Sequence, residues 1–207
     1  MWSSEVTNMI ITGIWETLYM TLVSTLVGYV IGLPMGIILT VSDKDGIKPN
    51  AVLYKILDVI ANIVRSVPFI ILLVLLIPFT RLVVGKSYGS TATIVPLVIA
   101  AAPYIARMVE SSLKEVDAGV IEAARSMGAS NFTIITKVML VEARTSLLVG
   151  ATITLGTILG YSAMSGAVGG GGLGAIAIRY GYTRWQTDIM IVTVCLLYTS
   201  PSPRDCS

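Results

Sequence analysis

The residues able to do chemistry in this chain are few, and two of the arrangements they form are decoys. Gly85-Lys86-Ser87 ends like a phosphate-binding loop, whose backbone N–H groups and lysine cradle phosphate oxygens. That loop needs an earlier glycine separated from the GKS by four residues. Here the position holds Thr80, followed by residues 81–84, RLVV. Gly169, Gly171 and Gly174 satisfy G-x-G-x-x-G, which marks dinucleotide binding only between a strand and a helix of a βαβ unit. Here it follows a long apolar run. A flexible re-entrant or external loop that lets two bundles move is the expected role. Histidine is absent and the two cysteines, Cys195 and Cys206, form neither a zinc spacing nor a disulfide framework. No carboxylate pair and no nucleophile beside a base emerges. Catalytic, metal and cofactor residues are therefore all expected to be none.

The elements that would hold such groups are membrane spans. Hydrophobic residues make up 55% of the 207 and charged residues 13%, against about 25% charged in soluble domains. Too little polar surface remains to cover a water-facing globule, so lipid is the expected solvent. With a net charge of +2 and no basic tract, nothing points to nucleic acid, and none is expected as a partner. A span needs about 20 mostly apolar residues. Such runs are expected at 18–41, 67–84, 91–109 and 147–168. Gly32, Pro34 and Gly36 predict a kink in the first, and Pro68 and Pro78 bound the second. The glycine-rich fourth is expected in the bundle centre or against a second copy.

A fifth run, 189–198, is incomplete, reaching only about 18 Å when counted generously. Either 199–207 is a genuine short polar tail, or foreign residues replace the rest of the helix. From about Cys195 the chain resembles a translated sequencing-adapter remnant, so the expectation is truncation. Residues 1–198 are then one transmembrane domain. The first residues lack the basic region of a cleavable signal, and the first apolar run is long enough to stay in the membrane. Lys44, Lys48, Lys55 and Arg65 flank the gap between spans one and two. Arg107, Lys114, Arg125, Lys137 and Arg144 surround that between three and four. Positive loops favour the cytoplasm, which places the N-terminus outside and the loop 110–146 inside. Arg65 and Arg107 are expected to snorkel from span ends, and Glu110 to form a surface pair with Arg107 or Lys114.

The loop 110–146 carries the informative pattern. Asp117 can accept orphan N–H groups at a helix start, and Gly128 can end that helix in the left-handed conformation. Val116, Val120, Ala123, Ala124 and Met127 recur at helical spacing as one apolar face. Ser130 could cap a second helix leading to Val138 and Leu140. A short amphipathic helix on the inner surface can pack on its own bundle, lie on lipid headgroups or enter a partner's groove.

Glu122-Ala123-Ala124, three residues, Gly128, nine residues, then Val138, Met139 and Leu140 resembles the EAA loop of ABC importer permeases, EAA-x3-G-x9-I-x-LP. Val138 replaces the isoleucine and Val141 the proline, which softens the expected kink before span four. Further similarity to the methionine-importer branch lies in residues 15–18 (WETL), 65–70 (RSVPFI), 77–81 (IPFTR), 106–110 (ARMVE) and 160–164 (GYSAM). The resemblance covers about 15 to 182. It implies an all-α, five-span type I importer permease of the bacterial inner membrane, moving methionine or a similar amino acid by alternating access. It also implies a second copy, an ABC ATPase subunit that hydrolyses the ATP, and an extracytoplasmic substrate-binding protein. Glu122, Ala123, Ala124, Met127 and Gly128 would dock in the ATPase, and Tyr161, Ser162 and Met164 are candidates for lining the pathway. A permease for another small polar solute is the nearest alternative. A channel would need a charged ring or carbonyl filter, which is not evident, and a scaffold has no reason to carry the EAA spacing.

Overall fold

Ser4–Ser42 is a single helix, α1, which in a computed structural model describing residues 4–198 runs unbroken through Pro34. Its 39 residues exceed what about 30 Å of hydrocarbon requires. The remaining helices are α2 (Ala51–Ser66), α3 (Phe69–Leu75), α4 (Ile77–Val84), α5 (Ser90–Lys114), α6 (Ala118–Ser126), α7 (Asn131–Thr133), α8 (Leu140–Glu142), α9 (Arg144–Ser165), α10 (Gly172–Ile176) and α11 (Thr187–Tyr198). The π-helical segments Ile134–Met139 and Ala177–Tyr182 join α7 to α8 and follow α10. No strand occurs among the described residues.

By length and composition, three stretches among the described residues can cross a membrane: Ser4–Ser42, Ser90–Lys114 and Arg144–Tyr182. They contain the first, third and fourth expected spans. The second expected span is not one helix. α3 stops at Leu75 and α4 begins at Ile77, because Pro78 has no N–H to return to the carbonyl of Val74. The fifth is the 12-residue α11, and the tail at 199–207 lies outside the described residues.

The chain divides into two compact units. One comprises Val67–Ala101 with the described residues up to Val27 and from Leu155 onward. Its core includes Met20, Leu97, Ile158 and Leu173, and Phe69 stacks on Tyr161 with ring centroids 4.6 Å apart. Three hydrogen bonds hold the glycine-rich turn in this unit. Gly89 donates to the Gly169 carbonyl at 2.9 Å, Glu16 accepts from the Gly172 N–H at 2.7 Å, and Thr17 accepts from the Leu173 N–H at 2.9 Å.

The other unit comprises Gly28–Ser66 and Ala102–Thr154. Leu39, Ile105, Val109, Leu113 and Ile134 are buried in it. α2 was expected to be loop, and its pattern is inverted. Val52, Ile56, Val59 and Ile63, at helical spacing, are exposed, while Ala61 is buried. Tyr54, Asp58 and Asn62 face α5 through hydrogen bonds. Polar groups inward and apolar groups outward is the arrangement that a lipid solvent favours. The glycines of α9, expected in the bundle centre or against a second copy, lie in two settings within this chain. Gly150 meets Met108, whereas a Cβ on Gly156 or Gly160 would meet nothing within 4 Å.

Candidate functional site

α6 is built by local rules. Asp117 Oδ1 accepts from the Gly119 N–H at 2.6 Å, and Gly128 ends the helix with φ +82°. At that angle a Cβ crowds the following carbonyl, costing about 1–2 kcal/mol. Ser130 Oγ then accepts from the Thr133 N–H at 3.3 Å and opens the next helical stretch. All three expectations for this loop hold. The single apolar face does not, because it splits in two. Ala124 and Val116 are buried within their own unit, whereas Ala123 is exposed, as are Val120 and Met127 at 43% and 81%. Glu122 and Gly128 are exposed as well. The free surface of α6 is therefore a ridge of Val120, Ala123 and Met127 with Glu122 beside it. Behind it lies an open cleft of about 790 Å³ lined by Asp43, Ile47, Ile121, Glu122, Arg125 and Met139.

α6 follows directly on an ion network built around one buried carboxylate. Glu110, expected at the surface, is only 4% exposed. Arg107 Nη1 donates to its Oε2 at 2.7 Å, while Lys114 Nζ at 2.8 Å and the Tyr54 hydroxyl at 3.2 Å donate to Oε1. Arg107 does not snorkel freely, because its other nitrogen donates to Asp58 and to Asn62 Oδ1. Lys114 also pairs with Asp43 at 2.6 Å. The network ties the end of α1, the inner face of α2 and the last turns of α5 together. Tyr54, Asp58, Asn62 and Asp43 were missed because their partners are remote in sequence.

The Lys114 ammonium, donating to Asp43, holds that carboxyl below its ordinary value of 3.8; burial opposes this, and the Lys44 N–H adds to it. A lowered folded-state pKa stabilises above the unfolded value and is lost as pH falls through the folded one. Thermal stability of the purified protein should accordingly fall as the pH drops below 3.8. Asp43→Asn should shallow that acid slope, and an unchanged slope would exclude the contact as a contributor.

The pathway candidates lie in three environments. Tyr161 is the ring stacked on Phe69, Ser162 is 1% exposed and donates to the Leu159 carbonyl at 2.7 Å, and Met164 is 48% exposed. Neither decoy makes a nucleotide site. Gly85 is the left-handed cap that ends α4, and the glycine fingerprint is the hydrogen-bonded turn described above.

Residues 28–201 match the family described as the inner membrane component of binding-protein-dependent transport systems. The chain belongs to that family. The permease is 49% identical over 196 residues to a probable D-methionine transport system permease protein MetI of Vibrio cholerae, covering 95% of this chain and 87% of the relative. It is 53% identical over 158 residues to the D-methionine transport system permease protein MetI of Escherichia coli strain K12, covering 76% and 73%. Among solved structures, a chain of the MetNI methionine ABC transporter in an inward-facing conformation matches with a TM-score of 0.93 at 52% identity, covering 95% of the permease and 91% of that chain. An amino acid ABC transporter solved with histidines matches at 23% identity and a TM-score of 0.76, a likeness of fold. The permease has the type I ABC importer fold expected from its EAA loop.

Proposed function

We propose that this permease carries methionine inward across the bacterial inner membrane, as a homodimer driven by an ABC ATPase subunit and fed by an extracytoplasmic binding protein. The observation that carries this reading is the free ridge of α6, set in EAA spacing on a chain about half identical to methionine permeases. Residues 1–198 act as one transmembrane domain with the N-terminus outside and 110–146 inside, in keeping with the basic residues of the inner loops.

Glu122, Ala123, Met127 and Gly128 meet the ATPase, and Ala124 anchors α6 to its own unit from behind. The linkage is mechanical. ATP binding draws the ATPase subunits together, the docked helices move with them, and the bundles rock between inward-open and outward-open states. The ATPase hydrolyses the ATP and the permease performs no bond chemistry. Tyr161 and Met164 face the pathway, and the buried Ser162 supports the helix between them.

Uptake of radiolabelled methionine into vesicles holding the permease, ATPase and binding protein tests the substrate. Saturable, ATP-dependent uptake that other amino acids compete poorly is expected, and uptake of a different amino acid instead would reassign it. Ala123→Arg tests the docking. It adds a long cation to an exposed position, so insertion should be unchanged while uptake falls about tenfold or more, as for a lost interface anchor. Normal uptake by a folded Ala123→Arg protein would remove α6 from the coupling.

A further inference from the structure

The unit holding the glycine-rich turn encloses an open cavity of about 690 Å³, within the range of small-molecule sites. Glu16, Arg179, Tyr88, Tyr180, Met9 and Ile176 contribute to its wall. The two charged residues are of opposite sign and are not paired with each other. Among the described residues, the Arg179 side chain takes part in no ion pair or hydrogen bond. Glu16 accepts only the Gly172 N–H, through Oε2, which leaves Oε1 without a partner. Arg179 is exposed and Glu16 half-buried, so a free guanidinium and a half-engaged carboxylate on one cavity wall are both open to a ligand. A ligand of one sign would pair with one and be repelled by the other. A ligand with both charges on neighbouring atoms suits both.

We infer that this cavity binds a zwitterionic α-amino acid, Arg179 taking the carboxylate, Glu16 the ammonium, and Met9, Ile176 and the two tyrosines the side chain. Arginine suits the first role because its planar fork matches a carboxylate. Glu16 is held for the second, since the Gly172 N–H fixes one of its oxygens and Thr17, next in sequence, holds the Leu173 N–H. Arg179 lies in the π-helical turn Ala177–Tyr182, a geometry common at functional sites. Arg184 lies over the Tyr180 ring, 4.8 Å from its centroid, and adds positive charge beside the same wall. An apolar and aromatic lining accepts a thioether readily. The site rests on the reading of the permease as an amino-acid importer and adds to it a substrate subsite on the permease itself.

The test uses the full permease assembled with its ATPase, in detergent, without the binding protein. Three probes are titrated: L-methionine, 3-(methylthio)propylamine, which lacks the carboxylate, and N-acetyl-L-methionine, which lacks the ammonium. Arg179→Gln should weaken L-methionine and the N-acetyl compound about tenfold or more and leave the amine unchanged, as for a lost charge-assisted hydrogen bond. Glu16→Gln should weaken L-methionine and the amine and spare the N-acetyl compound. Glutamine retains an acceptor for the Gly172 N–H, so the turn should survive. Equal weakening of all three probes by either variant would overturn the assignment, as would no methionine binding by the parent complex. Methionine uptake that persists with the binding protein present, without this binding, would sink the site alone. Loss of both would sink the importer reading beneath it.

Discussion

Glu110→Ala is expected to destabilise the permease by about 3 kcal/mol, well beyond the few tenths typical of an exposed i,i+4 pair. The carboxylate is 4% exposed and receives Arg107, Lys114 and the Tyr54 hydroxyl. Removing it strands the two cations unequally. The Lys114 side chain is 42% exposed and can rehydrate, and it keeps Asp43. The Arg107 side chain is 19% exposed and keeps Asp58, so it bears most of the penalty. Glu110→Gln should fall between, since the amide oxygen still accepts one hydrogen bond but carries no charge. Arg107→Met combined with Glu110→Ala should recover part of the loss, because a buried charge without its partner costs more than an apolar replacement of both. Thermal unfolding in detergent reads all of these. A melting temperature for Glu110→Ala equal to that of the parent would show that the network contributes nothing.

What could be read from the chain depended on how far apart the partners are. The cap at Asp117, the stop at Gly128 and the cap at Ser130 obey rules acting within four residues, and each forms as its residue type dictates. The long apolar runs announced α1, α5 and α9 in the same way. α2 was hidden because its charged and amide residues read as loop. The signal lay in its exposed stripe, Val52, Ile56, Val59 and Ile63, whose period is helical while its polarity is the reverse of a water-soluble helix. With α2 unrecognised, the burial of Glu110 could not be inferred, even though its spacing from Arg107 and Lys114 was visible. The splitting of the α6 face has the same origin. Periodicity groups Ala123 with Ala124, but only packing within the unit separates the buried alanine from the exposed one. The cavity at Glu16 and Arg179 unites residues more than a hundred positions apart, beyond any local pattern.

Gly36→Leu should prevent the bundle from forming. A Cβ on Gly36 would lie 2.6 Å from the Ala106 carbonyl oxygen and 2.7 Å from Val109 Cβ. One turn earlier, a Cβ on Gly32 would lie 2.7 Å from the Ala102 oxygen and 2.8 Å from Ile105 Cβ. The atoms in the way are backbone and branched Cβ groups within α5, which cannot swing aside. The two glycines of α1 thus face Ala102 and Ala106 of α5 at the same four-residue spacing. That match permits backbone approach where lipid gives no hydrophobic drive and packing must supply the association. Overpacking a tight core costs about 1–3 kcal/mol, and a leucine against rigid backbone should exceed the upper end. Purified Gly36→Leu protein should therefore lose its monodisperse elution and fail to carry the ATPase through purification. Gly156→Ala supplies the contrast, since open space surrounds that position and alanine favours a helix by about 0.5–1 kcal/mol. It should elute as the parent does. If Gly36→Leu and Gly156→Ala proved equally benign, the contact between α1 and α5 would not be what holds this unit together.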